Sequence, residues 1–253
     1  MSVPVLGLGL VSSKARHGAL RWYYRMVNII CGLRLSVHGV ASTDAPVLYA
    51  ANHVSYLDIV LLGAQLNASF VSKAEVRKWP AIGWFARQVG TTFIHRRKGD
   101  SHAQVKHLGA RLAAGDNLVL FPEGTPSDGT GVLPFKSTLF AALAFAGRSV
   151  VVQPVSLLYA NDRRGELAQP AYRACYAWFG DGPDDDFGPH AWRMLGLPGM
   201  HIHLVFHRPI SVDREADRKS IARLCEQAVA APLTELGATA PAYCGPTSEE
   251  QQC

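Results

Sequence analysis

A histidine and an aspartate lie five residues apart in the segment NHVSYLD, which places His53 before Asp58. Within a turn, the aspartate can accept the proton of one imidazole nitrogen and leave the other nitrogen free as a base. Such a pair, without a protein nucleophile, suits removal of a proton from a substrate hydroxyl. The alternative is a helix cap and a packed loop histidine, and the spacing alone favours that alternative.

Two further segments carry polar residues at the end of an apolar run. Glu123 stands in FPEGT after the run NLVLF, where the proline ends strand pairing and Gly124 lets the backbone approach a ligand closely. By itself, Glu123 could be only a turn carboxylate.

The segment GTTFIHRRK ends in basic residues before a helical pattern that begins near Ser101, so it is a candidate anion site. A run of charge is more often a solvated face.

Several other kinds of site are not expected. His201, His203 and His207 alternate along one predicted strand, but no carboxylate or thiol is near them in sequence, so we expect no metal there. The glycine-rich nucleotide motifs and the Gly-x-Ser-x-Gly elbow of serine hydrolases are absent from the sequence. The net charge of +5 is spread along the chain, so nucleic acid is not an expected partner.

Strands and helices alternate along the chain and must position these segments. The predicted strands are 33–38, 47–51, 69–72, 91–94, 118–121, 150–155, 173–178 and 200–206. The predicted helices are 58–66, 79–88, 101–114, 137–146, 190–195 and 214–231. This alternation predicts a single α/β domain whose largely parallel central sheet is flanked by helices. Both His53 and Glu123 then lie at strand ends, where ligand sites are favoured.

Length and composition agree with one well-buried domain. The chain has 253 residues, of which 48% are hydrophobic and 18% charged, and this balance excludes an intrinsically disordered protein. No apolar run reaches the roughly 18 residues of a spanning helix. The apolar start MSVPVLGLGLV follows no basic leader, so we expect neither export nor a span.

Residues 14–35 combine five basic residues with aromatic and aliphatic ones. As a helix, this segment can lie in a membrane interface with its arginine and tyrosine tips toward the headgroups. An ordinary amphipathic helix that covers the core is the other interpretation. The segment alone does not separate the two.

Four blocks, in order, carry a resemblance to a known family. They are Asn52, His53 and Asp58; Gly90, Phe93, Ile94 and Arg96; Phe121 to Thr125; and Val151, Val152, Pro154 and Val155. The sequence is similar to the PlsC-like glycerolipid acyltransferases, which include the 1-acylglycerol-3-phosphate (lysophosphatidic acid) acyltransferases. The similarity is strong over about 33–155.

The resemblance implies a role for each matched residue. His53 would be the general base and Asp58 its orienting partner. The substrates would contact a further set of residues: Asn52, Phe93, Arg96, Glu123, Gly124, Thr125, Lys136 and Pro154. Of these, Arg96 and the Glu123–Gly124 segment would hold the acceptor's polar head, and Pro154 would shape the acyl-donor site. Neither a metal nor another cofactor would be needed.

The resemblance also implies the reaction and its setting. A fatty acyl chain would pass from acyl-CoA or an acyl carrier protein to the free hydroxyl of a lysophospholipid, in the first place 1-acylglycerol-3-phosphate. The enzyme would work at a membrane surface on the cytoplasmic face, which is the inner membrane in a bacterium. The domains would be a membrane-interfacial segment at 1–32, an acyltransferase domain at 33–236 and an unstructured tail at 237–253.

One position departs from the family pattern. The block FPEGT is often followed by arginine, but Pro126 stands here and offers no donor for a phosphate. Arg97, Lys98 or Lys136 could compensate. Alternatively, the acceptor is another lysolipid, such as lyso-ornithine lipid. A thioesterase-like hydrolase that delivers water to the same thioester is a further alternative.

Overall fold

A parallel-rich sheet forms the centre of the protein in a computed structural model, which describes residues 13–44, 46–73, 92–94, 101–160, 168–178, 186–213 and 215–239. The strands are β1 (Leu33–His38), β2 (Val47–Ala51), β3 (Ser69–Lys73), β4 (Thr92–Ile94), β5 (Leu118–Leu120), β6 (Val150–Ala160), β7 (Met200–Phe206) and β8 (Ile210–Val212). The helices are α1 (Ser13–Ile30), α2 (Leu57–Gln65), α3 (Ser101–Ala113), α4 (Pro170–Ala174), α5 (Phe187–Leu195), α6 (Arg218–Thr239) and a 3-10 helix (Leu139–Phe145).

The strand order is β1-β7-β6-β2-β5-β3-β4, with β8 paired to β6. All neighbours are parallel except β6, which runs antiparallel to β7 and to β8. The predicted α/β class with a largely parallel sheet is therefore confirmed. β2 lies between β6 and β5, so the turn that follows its last residue opens at the middle of the sheet.

The burial pattern of β2 explains why its sequence is apolar throughout. Val47, Tyr49 and Ala51 pack into the core on one face of the sheet, whereas Leu48 and Ala50 pack into the core on the other face. Successive strand side chains point to opposite faces, so a strand covered on both faces needs apolar residues at every position. This strand is therefore buried on both faces up to its last residue, Ala51, and Asn52 and His53 follow it directly.

Most predicted elements are found, and their differences have local causes. Three strands, 33–38, 47–51 and 200–206, have the predicted bounds, while β6 extends five residues beyond 155. The helix predicted at 137–146 forms as the tighter 3-10 helix, and β8 was not predicted. Helix α6 runs to Thr239, three residues into the predicted tail. The predicted helix 79–88 lies outside the described residues.

The strand predicted at 173–178 is wrong, because the chain forms α4 and a turn there. Pro170 occupies the first turn of the helix, where its fixed φ is favourable. Tyr172 lies in α4, and Tyr176 lies in the turn that follows it. Both hydroxyls bond the main chain of Gly199, at 2.6 Å to its oxygen and 3.1 Å from its nitrogen.

Helix α1 packs on α2 through one face. Tyr24 is buried with its ring directly over Gly63, where any side chain would meet the ring. The opposite side leaves Trp22 and Ile30 each 65% exposed, together with Ile29. In the described part of the chain, no helix is both long and apolar enough to cross a bilayer.

Candidate active site

The turn between β2 and α2 holds His53 by its main chain. The His53 N–H donates to Glu123 Oε1 at 2.8 Å, and the His53 carbonyl accepts from the Ser127 N–H at 2.8 Å and from the Ser127 hydroxyl at 3.2 Å. Both partners lie in the loop that follows β5. Because β2 and β5 are parallel neighbours, their carboxyl ends meet, and this brings together segments 70 residues apart.

Asp58 is fully buried in the first turn of α2 and accepts four hydrogen bonds. Its Oδ2 accepts from His53 Nδ1 at 2.8 Å, from the Val54 N–H at 2.7 Å and from the Ser55 N–H at 3.0 Å. Its Oδ1 accepts from the Tyr159 hydroxyl at 2.7 Å. Four hydrogen bonds therefore hold this buried side chain in one orientation.

The His53 ring is oriented from two sides. His53 Nδ1 is the ring nitrogen that contacts the Asp58 carboxylate, and Nε2 is the ring nitrogen that Asp58 does not contact. The ring stacks on Phe121, with centroids 4.2 Å apart and planes at 18°. The His53 side chain is 17% exposed, so the ring is held by the interior yet reachable from outside. The Asp58 contact and the Phe121 stack together fix the orientation of the imidazole.

Glu123 is buried, and both of its oxygens bond main-chain groups. Oε1 accepts from the His53 N–H, and Oε2 accepts from the Leu133 N–H at 3.0 Å. Burial raises the pKa of Glu123 to about 7, further raised by the Asp58 and Glu226 charges and opposed by the two N–H donors. The Glu123 side chain thus connects the turn that contains His53 to the loop segment at Leu133. Its predicted contact with the acceptor remains a prediction.

Asn52 is also enclosed by main-chain partners. Its Nδ2 donates to the Leu157 carbonyl at 3.0 Å, and its Oδ1 accepts from the Leu157 N–H at 2.8 Å. The Asn52 side chain therefore bonds the main chain of β6 just beyond the point where β2 itself ends. Its amide locates the next residue, His53, relative to the sheet.

Gly124 and Lys136 meet in the turn after Glu123. Gly124 has φ +74°, and a Cβ there would lie 2.6 Å from Lys136 Nζ. The Lys136 N–H donates to the Pro122 carbonyl at 2.9 Å, which holds the two segments together. Lys136 is exposed, so its ammonium lies over the glycine and remains open to solvent.

The other predicted contact residues are less directly placed. Thr125 is half-buried in the same turn. Pro154 is buried within β6 opposite Ala50, one residue before the level at which β2 ends, and its carbonyl accepts from the His207 N–H. Phe93 belongs to β4. Arg96 lies outside the described residues.

Sequence reasoning missed Tyr159, the ring-stacking role of Phe121 and the carbonyl contacts of Ser127. Tyr159 is the penultimate residue of an otherwise mostly aliphatic strand, and a buried tyrosine hydroxyl needs a partner. That signal predicts a hydrogen bond, but Asp58 is 101 residues away in sequence, and only the sheet brings the two together.

Comparison with known proteins gives a family and several relatives. The family model described as Acyltransferase matches residues 34–158. The lyso-ornithine lipid O-acyltransferase of Brucella abortus (strain 2308) is 38% identical over 218 residues, which cover 84% of this chain and 80% of that protein. The enzyme of the same name from Pseudomonas aeruginosa is 35% identical over 254 residues, covering 95% and 92%.

A second group of relatives has a different acceptor in its name, and one structure matches in fold. The 1-acyl-sn-glycerol-3-phosphate acyltransferase of Neisseria meningitidis serogroup B is 30% identical over 190 residues, covering 75% of this chain and 70% of that protein. The crystal structure of PlsC, the 1-acyl-sn-glycerophosphate acyltransferase of Thermotoga maritima, has a TM-score of 0.65 at 22% identity. The match covers 92% of this chain and 86% of that one.

Proposed function

Since this chain belongs to the PlsC-like glycerolipid acyltransferases and is an O-acyltransferase of lysolipids, we propose that it acylates a lyso-ornithine lipid with His53 as general base. The hydrogen bond from His53 Nδ1 to the buried Asp58 carboxylate carries the proposal. In this proposal, Nε2 is the base, and it belongs to a side chain that is 17% exposed.

Two observations favour this acceptor over 1-acylglycerol-3-phosphate. Relatives named for lyso-ornithine lipid are 35–38% identical over most of the chain, against 30% for those from Neisseria named for the phosphate acceptor. Pro126 follows FPEGT, so the phosphate-gripping arginine common at that position is absent. The phosphate acceptor is the second candidate, supported by the names of the Neisseria relatives.

The proposed step is direct transfer. The acceptor hydroxyl gives its proton to His53 Nε2 while its oxygen attacks the thioester carbonyl. Asp58 stabilises the imidazolium through Nδ1. The C–S bond then breaks, an ester forms, and the imidazolium returns the proton to the departing thiolate. The thioester comes from acyl-CoA or an acyl carrier protein, and the step balances without a metal or redox cofactor.

We place the reaction at a membrane surface on its cytoplasmic side. Both the acceptor and the product are amphiphiles, so an enzyme that rests on the bilayer meets them without extracting them. Exposed Trp22, Ile29 and Ile30 on α1 supply apolar contact, and the exposed Arg25 supplies attraction to anionic lipid.

The base is tested by His53→Ala assayed with acyl-CoA and lyso-ornithine lipid. We expect kcat to fall at least about 100-fold, the lower range for a lost general base. His107→Ala, which changes an exposed histidine of α3, is the matched control and should retain full activity. Near-normal turnover of a folded His53→Ala protein would contradict the mechanism.

The acceptor is tested with the unchanged protein. Lyso-ornithine lipid and 1-acylglycerol-3-phosphate are offered separately with one acyl-CoA, and the products are read by mass spectrometry. We expect a higher kcat/KM for the ornithine acceptor. Preference for the phosphate acceptor would overturn this choice but leave the acyl-transfer reaction in place.

A further inference from the structure

Arg173 is a buried cation that the described structure leaves without a direct partner. The residue is only 3% exposed, and its buried Nε has no hydrogen-bond partner among the described residues. Within that part of the chain, Arg173 also forms no ion pair. Burial lowers its pKa, and the charge of Asp128 partly opposes that shift. A buried charge that lacks a close ion pair is costly, so a guanidinium held this way needs an explanation.

Arg173 lies across a single glycine from the turn that carries the base. A Cβ on Gly129 would lie 3.3 Å from Val54 Cγ2 and 3.6 Å from Arg173 Cδ. Val54 directly follows His53, and its carbonyl accepts from the Trp178 N–H at 3.1 Å. Helix α4 and the turn after it therefore pack against the catalytic segment. Because Gly129, with φ +73°, has no side chain, Val54 and Arg173 can lie close to it from either side.

The chemistry of the proposed acceptor supplies the missing anion. Ornithine has no hydroxyl, so an O-acyltransferase of its lipid must acylate a hydroxyl on the attached acyl chain. When the α-amino group of ornithine is acylated, the headgroup keeps an α-carboxylate and a side-chain ammonium. Near the reacting hydroxyl, the acceptor thus presents a carboxylate, for which arginine is the preferred bidentate partner.

We propose that Arg173 binds the α-carboxylate of the amino-acid headgroup of the acceptor, an inference that rests on the proposed function. The neighbouring Asp128 is exposed, and its carboxylate offers the opposite charge for the headgroup ammonium. The guanidinium missing after FPEGT, where Pro126 stands, is thereby supplied from α4 to the same loop.

The first experiment measures KM for two acceptors. They are lyso-ornithine lipid and the same lipid with its carboxylate converted to a carboxamide. We expect Arg173→Gln to raise KM for the natural acceptor about 10-fold or more, the scale of a lost charge-assisted pair. KM for the carboxamide should be nearly unchanged. The control Arg148→Gln alters an exposed arginine and should leave both constants as they are.

Two results overturn the inference and remain distinguishable. An equal rise of KM for both acceptors means that Arg173 does not bind the carboxylate. If the unchanged protein does not acylate lyso-ornithine lipid, the proposed acceptor itself is wrong, and this is seen before any variant is made.

A second experiment measures stability without substrate. Arg173→Met keeps much of the apolar stem but removes the buried charge. If the guanidinium is reserved for a ligand, Tm of this variant should stay the same or rise. A clear fall in Tm, or failure to fold, would show that Arg173 is structural and would overturn the inference.

Discussion

The Asp58 carboxylate meets His53 at Oδ2 and the Tyr159 hydroxyl at Oδ1, so the two oxygens are fixed by groups from opposite sides. One side chain comes from the turn before α2 and the other from β6. Because the carboxylate cannot rotate without breaking one of these bonds, the imidazole inherits its orientation from the sheet. Tyr159 is accordingly a positioning residue.

We expect Tyr159→Phe to lower kcat about 10-fold with little change in KM, because the base is misdirected while substrate contacts remain. The free energy of unfolding should fall by about 1–3 kcal/mol for the orphaned Oδ1. Tyr49→Phe is the control, since its buried hydroxyl bonds the Ser42 carbonyl at 2.9 Å, away from the base. Equal loss of kcat in both variants would refute a specific role.

The raised pKa of Glu123 has a consequence for stability. Its folded pKa of about 7 exceeds its ordinary value of 4.5, so between these pH values the folded state binds more protons than the unfolded state. The contribution of Glu123 to the free energy of unfolding therefore falls as pH rises from about 4.5 to about 7. Glu123→Gln should reduce this pH-dependent change in the free energy of unfolding by about 3 kcal/mol over the window.

Urea titrations at several pH values measure that slope. The exposed Glu235→Gln variant is the control and should keep the slope of the unchanged protein. A Glu123→Gln protein with an unaltered slope would mean that this carboxyl titrates normally.

The sequence predicted the residues of the pair but not their supports. His53 and Asp58 are close in the chain, so a turn suffices to join them, although the spacing alone favoured a helix cap and the family resemblance selected the pair. Their contacts with Glu123 and Tyr159 depend on which strands are neighbours, which no local pattern specifies. The role of Asn52 was hidden for the same reason, since its amide bonds a strand 105 residues away.

At the scale of elements, β2 and α4 show where patterns succeed and fail. β2 was predicted with its bounds, because burial on both faces leaves a purely apolar run that ends at a polar turn. The segment 173–178 alternates like a strand, but Pro170 and the pair Tyr172 and Tyr176 select a helix through contacts with Gly199. Those contacts are tertiary and override the alternation.

The turn that follows β5 depends on a glycine for two reasons. At Gly124, a side chain meets both a left-handed backbone and the Lys136 ammonium. We expect Gly124→Ala to destabilise the fold by about 1–2 kcal/mol for the backbone strain and to lower kcat/KM as Lys136 is displaced. Gly147→Ala is the control, because its φ of +66° is similar but no atom lies within 4 Å.

Chemical denaturation and steady-state kinetics separate the two effects. The control should lose stability by a similar amount and keep full activity. Should Gly124→Ala retain the kcat/KM of the unchanged protein, the position of Lys136 would not matter for catalysis.

At the scale of the whole molecule, large apolar side chains are exposed on two helices, α1 and α5. Helix α1 exposes Trp22 and Ile30, and α5 exposes Trp192, which is 80% accessible. The end of α1 touches the loop after α5, since a Cβ on Gly32 would lie 3.0 Å from the Gly199 Cα.

We expect the double variant Trp22→Ser, Ile30→Ser to bind anionic vesicles at least about 10-fold more weakly, because it loses buried apolar area. Co-sedimentation with vesicles of phosphatidylglycerol and phosphatidylethanolamine measures this. Leu224→Ser removes an exposed leucine of α6 and is the control. Unimpaired binding of the double variant would exclude α1 as the docking element.

The contact of Tyr24 with Gly63 connects α1 to α2. Gly63 belongs to the same short helix as Asp58, so α1, the proposed docking helix, packs directly on the helix that carries Asp58. If α1 docks on lipid as proposed, the height and tilt of the His53 imidazole above the headgroups depend on the close approach that the missing side chain of Gly63 permits. A larger residue at position 63 would spare every reacting atom and still aim the chemistry at the wrong depth.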